Sequence, residues 1–411
     1  MDTLVKTAEK NIQHFTYPTG VNIINGLFKS WADEKVEVED LLSAAQKKAG
    51  LTDFGDEFFI EPLTQLVQDA TANTDFHPLG AFLFKKKLII NLVNRLWSQY
   101  WLKKEPSIVK PLPPKVLITG LQRTGTTFLQ RFLGSLPEFR GIISWEIVNP
   151  VPKSRKKTYY GMYEAQLAHK ALNFLSPEFK SIHSVKHDSL EEEVVLMDHA
   201  FASTATQSVL DVPNYAKWLE QQDQTRAYED LKMWLQFLLW REPANKFLLL
   251  KSPHHMEYMD MFMSVFPDTK IIHTHRQPKK TLASYCSMIM AGKKIFSDHA
   301  DSFEVGRYWL EKDVRLVNKF LEYRSRNEDK FYDVAYKNLV ADPIQTAKGI
   351  YDQLGLEWTE KHVSLATEFC KKHRKNKFGK HEYAIEDYGL TEAQVDQAFG
   401  DYIDQFSDQL T

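Results

Sequence analysis

Apolar positions in the first hundred residues recur at helical spacing. Val36–Gly50, Phe59–Ala72 and Gly80–Trp101 read as three helices, the last with Leu83, Leu88, Ile89, Leu92, Val93, Leu96 and Trp97 in register. No run within residues 1–105 reads as a strand. Pro106, Pro111, Pro113 and Pro114 then break the pattern and mark a boundary, because proline supplies no amide donor to a helix. Beyond it the texture changes. Lys115–Thr119 (KVLIT), Phe247–Lys251 (FLLLK), Thr269–Thr274 (TKIIHT) and Phe331–Tyr336 are short apolar or β-branched runs, and Gly141–Trp145 is a further strand candidate. Helical segments follow them at Thr126–Leu136, His255–Phe266, Pro278–Met290 and on to Leu354. Continuous apolar runs suit strands covered on both faces, so the alternation predicts an α/β parallel sheet flanked by helices. Residues 1–105 form a helical N-terminal extension packed on that core, 106–355 the core, and 356–411 a helical C-terminal segment. Ligands of such sheets lie beyond the carboxyl ends of the strands.

Two anion sites are expected there. After KVLIT comes Gly120-Leu121-Gln122-Arg123-Thr124-Gly125-Thr126-Thr127, then a helix. This follows the phosphate-cradling pattern G-x-x-x-x-G-K-[ST], except that Thr126 stands where lysine is required, so the sheet is P-loop-like. Glycine turns expose successive N–H groups, the helix start adds positive charge, and Arg123 supplies a cation. A Mg²⁺-triphosphate enzyme needs the lysine and a strand-end acid. The strands here lead instead to Thr119, Lys251 and His275, so no metal is expected. After TKIIHT, Arg276 precedes Pro278, which suits a first helical turn. Ser284 lies eight residues past Arg276, about two turns along the helix. An arginine fork with a hydroxyl is a receptor for a second phosphate.

Composition narrows the partners. The 411 residues allow two or three domains by length alone. With 43% apolar residues the chain can bury a core, which excludes a disordered or collagen-like protein. The 52 basic and 54 acidic residues nearly cancel, so neither a broad nucleic-acid footprint nor a broad anionic-membrane footprint is expected, and any anion site must be local. The N-terminus MDTLVKTAEKNIQHF has no signal-like apolar run, and no stretch approaches the ~18 apolar residues of a membrane span. The two cysteines, Cys286 and Cys370, show neither a disulfide framework nor zinc spacing, and a cytoplasmic location is expected. The apolar N-terminal helices suit either pairing with a second subunit or covering the sheet.

Two separated anion sites without a metal pair imply a nucleotide phosphorylated at two places. GLQRTGTTFLQRFL, FLLLKSPHH and IIHTHRQPKKTLASYCSM, in this order, resemble the sulfotransferases that use 3′-phosphoadenosine 5′-phosphosulfate (PAPS) and release 3′,5′-adenosine bisphosphate (PAP). The resemblance covers about residues 75–400 and is to the large bacterial branch with an N-terminal helical extension. It implies that Arg123, Thr124, Gly125, Thr126 and Thr127 hold the 5′-phosphosulfate. It also implies that Arg276 and Ser284 hold the 3′-phosphate and that Tyr336 lies near the adenine. Gln277 departs from the acid or asparagine common there. The basic-glycine loop of animal relatives is missing, with Lys371–Lys380 either its replacement or a solvated basic stretch.

Sulfuryl transfer to an alcohol requires alignment, a base and stabilisation of the leaving phosphate. Lys251, at a strand end, can follow charge onto the bridging oxygen, and Arg123 shares that role. Three residues are candidates for the base. The resemblance puts Glu146, in a Trp-Glu pair, beside the acceptor, and it favours His255 over the adjacent His254; His187 is the third. The acidic run Glu191–Glu193 reads as a helix-start cap. Residues 147–239 would bind the acceptor. They carry Tyr159, Tyr160, Tyr163, Phe174, Phe179, Phe201, Tyr215, Trp218 and Trp234, with a basic patch only at Lys153–Lys157. A small lipophilic hydroxyl compound, sterol or phenol-like, fits that composition better than a polysaccharide. The competing readings are a P-loop kinase or NTPase, and a nucleotide-binding protein without catalysis.

Overall fold

The computed structural model describes residues 10–154, 161–177, 186–244, 246–373 and 383–410. Five parallel strands form the central sheet in the order β3-β4-β2-β5-β7: β2 Lys115–Thr119, β3 Phe139–Gly141, β4 Phe247–Lys251, β5 Thr269–His275 and β7 Phe331–Ala335. Four of the expected strands are thus present, Tyr336 heading the next helix rather than ending β7. The run expected as a strand at Gly141–Trp145 is displaced. Its strand is β3, and Ser144–Val148 is the short helix α6. The expected His255–Phe266 helix is divided into a 3₁₀ turn, Pro253–Met256, and a helix, Met259–Val265. Ser252 begins that turn, its Oγ accepting from the His254 amide at 3.2 Å.

Residues 12–14, expected to be strand-free, form β1 (Ile12–His14), antiparallel to β6 (His299–Asp301). The central pair, Gln13 and Ala300, is 287 residues apart, and neither strand carries an alternating pattern. The N-terminal extension is otherwise helical: α1 Thr19–Leu27, α2 Val38–Ala49, α3 Ile60–Asn73 and the long α4 Pro78–Lys104. Pro78 begins α4, where its missing N–H costs nothing, and His77 Nδ1 accepts from the Gly80 amide at 3.0 Å.

Strand alternation divides the sheet's side chains between two apolar cores. Val116, Ile118, Leu249 and Ile272 pack with Phe132, Tyr351 and Phe369 on one face. Leu117, Leu248, Leu250 and Ile271 share the other with Leu92, Leu96 and Trp97 of α4. The N-terminal extension therefore belongs to the same core as the sheet, each buried leucine contributing roughly 1.5–3 kcal/mol. β2 is central, β4 lies on one side and β5 on the other, so the loop after β2 opens at the topological switch point.

Candidate functional site

Loop 120–125 crosses from β2 to α5 (Thr126–Leu133). Gly120 has φ 145°, and an added Cβ would lie 2.4 Å from the Thr274 carbonyl oxygen, so only glycine fits beside β5. Gly125 has φ 92° and lies against Tyr336 and Leu339, where a Cβ would come within 3.1 Å of both. Between them Arg123 holds φ 67°, a left-handed conformation costing a non-glycine residue about 1–3 kcal/mol. Alternation of this kind turns consecutive amides toward one concavity, an anion nest ahead of a helix N-terminus.

The two expected anion sites meet. Arg123 Nε donates to Ser284 Oγ at 3.0 Å, and Arg276 Nη1 donates to the Arg123 carbonyl oxygen at 2.8 Å. The Arg276 guanidinium stacks 4.2 Å from the Tyr336 ring centre. Burial lowers the Arg123 pKa from its usual value, and the charge of Arg276 adds to the effect. Among the described residues no carboxylate pairs with Arg276. Two arginines linked through the Arg123 carbonyl, beside a run of loop amides, are the groups that can take up phosphate oxygens here.

Arg123, Gly125, Thr126, Thr127, Arg276, Ser284 and Tyr336 all line one cavity of about 1390 Å³. Thr124 does not. Its hydroxyl is buried under the loop, donating to the Leu121 carbonyl at 2.6 Å and bonding Thr274 Oγ1 at 2.7 Å, so only its backbone can face a ligand. Away from the loop the cavity runs between α4 and α7 (Gly161–Leu175), past Leu83, Ile90, Val93, Leu167, Leu172 and Met288. These walls are mainly aliphatic, with Lys86, Lys87, Asn91 and Glu164 also lining them. Of the aromatic residues singled out in 147–239, Phe201, Tyr215 and Trp234 are core, Trp218 packs against it, and Tyr163 and Phe174 are exposed. Tyr159, Tyr160 and Phe179 lie outside the described residues, as do Arg155–Lys157 and most of the Lys371–Lys380 segment.

Residues 114–360, more than half of the chain, match the sulfotransferase family. The chain belongs to the sulfotransferase family. It is 22% identical over 343 residues, 79% of this chain and 83% of the relative, to the omega-hydroxy-beta-dihydromenaquinone-9 sulfotransferase Stf3 of Mycobacterium bovis, and equally to that of Mycobacterium tuberculosis. Among solved structures it is similar to sulfotransferase STF1 of M. tuberculosis (28% identity, TM-score 0.74, covering 89% of this chain and 99% of that one). Sulfotransferase STF9 of Mycobacterium avium shares the fold (23% identity, TM-score 0.77, 90% and 96% covered).

The sulfotransferase's three expected bases do not line the cavity. Glu146 is fully buried in α6 and accepts from Arg140 at 2.6 and 2.8 Å, from Arg241, and from the Ile143 amide at 2.9 Å. Burial would raise its pKa, but the two guanidiniums outweigh it and hold the carboxyl below its usual range. Its geometry is that of a structural ion cluster. We expect Glu146→Gln to destabilise the fold by about 3–5 kcal/mol, because two arginines lose their counter-charge. Calorimetric unfolding will show the loss, while kcat per folded molecule stays unchanged. His255 is clamped between Glu193 Oε1 at 2.8 Å and the Tyr228 hydroxyl at 3.0 Å, with no exposure. His187 is partly exposed, its Nε2 accepting from Gln166 at 3.0 Å.

Lys251 sits directly behind the cavity wall. Its Nζ donates to Glu192 Oε1 at 2.5 Å and to Thr127 Oγ1 at 3.4 Å, and both partners line the cavity. The acidic run is not a solvated cap. Glu191 bonds Arg131 at 3.4 Å, Glu192 takes Lys251, and Glu193 takes both His255 and the Lys251 amide. His254, passed over in favour of its neighbour, does line the cavity. Its Nδ1 lies 2.9 Å from Thr204 Oγ1, and its buried Nε2 has no hydrogen-bond partner. Burial drives its pKa well below the usual value, with His255 and Lys312 adding to the shift, so the ring is neutral at pH 7. The residue order K-S-P-H-H is compatible with either histidine facing the ligand. The signal that separates them is Glu193, which occupies His255.

One acid near a strand end escaped the sequence reading. His273 and His275 of β5 and Asp333 of β7 bring ligand atoms within 4.8 Å of one another. Arg324 lies in that cluster, donating to Asp333 at 2.6 and 2.8 Å and sitting 3.0 Å from His273 Nδ1, while His275 also bonds Tyr402 at 3.0 Å. The Arg324 guanidinium thus already gives Asp333 a positive partner.

Proposed function

We propose that this sulfotransferase moves a sulfuryl group from PAPS to the hydroxyl of a small lipophilic acceptor. The observation that carries the reading is one continuous cavity. It joins the Arg123–Ser284–Arg276–Tyr336 cluster to an aliphatic chamber between α4 and α7. The residues fit such a donor. At Gly125 a Cβ would be strained by φ 92° and crowd Tyr336 and Leu339, and the cluster holds two arginines, joined through the Arg123 carbonyl, with a serine hydroxyl. Arg276 and Ser284 would hold the 3′-phosphate, Tyr336 the adenine, and the amides of 123–127 with the Thr126 and Thr127 hydroxyls the 5′-phosphosulfate. Thr126 in place of the lysine argues against a Mg²⁺-triphosphate.

The donor supplies an activated sulfuryl group; the chain orients, deprotonates and stabilises. Lys251 Nζ, one layer behind Thr127, places positive charge under the loop, where the leaving phosphate gains negative charge. With Nδ1–H donated to Thr204 Oγ1, His254 Nε2 keeps a lone pair and takes the acceptor's hydroxyl proton. The mainly aliphatic walls favour an apolar acceptor body and would select it by shape. The mycobacterial relative, named for an ω-hydroxylated dihydromenaquinone, supports a lipid alcohol ahead of the other lipophilic classes, sterols and phenols. Incubation with ³⁵S-labelled PAPS and a panel of lipid alcohols, sterols, phenols and glycans tests this. Label on one or more of the lipophilic classes is expected; label on glycans alone would reverse the assignment.

A further inference from the structure

We propose that the face around the cavity mouth, built by α1, the start of α4 and α7, docks this sulfotransferase onto an anionic lipid bilayer. Eight of the twelve large apolar side chains exposed among the described residues lie on these elements or at the C-cap of α1. On α7, Tyr163, Leu167, Lys170 and Phe174 fall at helical spacings of four, three and four, forming one stripe along its outer face. Tyr163 is 70% and Leu167 68% exposed; on α1, Ile23 and Leu27 reach 57% and 72%. These are not scattered residues. Gly20 of α1 approaches Phe174 so closely that an added Cβ would lie 2.9 Å from its ring. Trp31 stacks between Phe28 and Phe82 at 4.1 and 4.7 Å, joining α1 to α4. Soluble proteins rarely expose contiguous apolar surface of this kind without a partner.

Position and charge choose the partner. Leu167 and Lys86 are exposed and also line the cavity, so the patch is the rim of its opening. Lys29, Lys48, Lys86 and Lys170 stand exposed around it. Asp33 is exposed nearby, whereas Glu34 and Glu164 are already paired, with Lys85 at 2.5 Å and Lys153 at 3.6 Å. An apolar rim set among lysines matches a surface with negative headgroups over acyl chains. No helix of the described residues is long and apolar enough to cross a membrane, so the contact is peripheral. Docking here would let an acceptor pass from the bilayer into the cavity without crossing water, and in this respect the inference rests on the lipophilic-acceptor reading.

Vesicle sedimentation with the full chain tests the proposal without donor or acceptor, so its failure and that of the transfer assay are distinguishable. Phosphatidylcholine vesicles with and without phosphatidylglycerol are compared at low salt and at about 0.5 M salt, where screening confines charge attraction to a few ångströms. We expect at least ten-fold stronger partitioning onto the anionic vesicles at low salt. Leu27→Asp/Tyr163→Asp should abolish it, and Lys29→Glu/Lys170→Glu should remove the preference for anionic lipid. All four residues are exposed and outside the cavity, and unchanged thermal unfolding verifies that the variants fold. Equal partitioning of the wild type and the aspartate variant overturns the proposal. So does a dimer by light scattering that the aspartate variant dissociates while no vesicle is bound, which would assign the face to a second copy.

Discussion

Replacing His254 with glutamine is expected to lower kcat by about 10²–10⁴-fold, the usual worth of a positioned base, while PAP binds as before. The side chain lines the cavity and its Nε2 has no partner. Its folded-state pKa lies well below that of a free imidazole. The sign follows. A histidine buried neutral contributes stability above the unfolded-state value and loses it as pH falls, because protonation favours the unfolded chain. The acid limb of kcat/KM should accordingly lie below pH 6.5 rather than at it. Thr204→Val, which removes the Nδ1 partner, should lower kcat by less and leave KM for the donor unchanged. His255→Gln should behave differently, losing stability because Glu193 Oε1 and the buried Tyr228 hydroxyl lose their imidazole partner, while Glu193 keeps the Lys251 amide. A His254→Gln enzyme with wild-type kcat would remove this residue from the chemistry.

Arg276→Ala should weaken PAP binding by about 10²-fold, since hydrogen bonds from a charged donor contribute roughly 1.5–3 kcal/mol. Arg276 also stacks on Tyr336 and donates to the Arg123 carbonyl, so its loss loosens the loop and the aromatic wall together. Arg276→Lys should restore little, because lysine offers neither the planar fork nor the stack. Titration calorimetry with PAP measures both variants. Full affinity in the alanine variant would place the second phosphate elsewhere.

What could be read from the chain is what local physics dictates. β2 and β4 are apolar runs buried on both faces, and β5 is β-branched and buried apart from Lys270. Gly120 and Gly125 are required by positive φ and close backbone approach, and Pro278 begins a helix. The loop residues and Arg276 with Ser284 followed from that frame and share one cavity. The base candidates required knowledge of which way a side chain faces, and that is decided by distant partners. Glu146 is claimed by Arg241, 95 residues on, and His255 by Glu193, 62 residues back. The aliphatic chamber was legible only in part, since α7 falls inside the expected acceptor segment 147–239 but α4 does not. Its walls come from α4 and α7, segments whose apolar residues look like core in a linear pattern. β1 and β6, three residues each, carry no pattern at all.

Thermal unfolding in the presence of nucleotide tests the central claim most directly. A receptor built from Arg123, Arg276, Ser284 and the amide nest should be stabilised by PAP by about 2.7 kcal/mol at ~100 times its Kd, with no dependence on Mg²⁺. Stabilisation by ATP with Mg²⁺ and none by PAP would contradict the account.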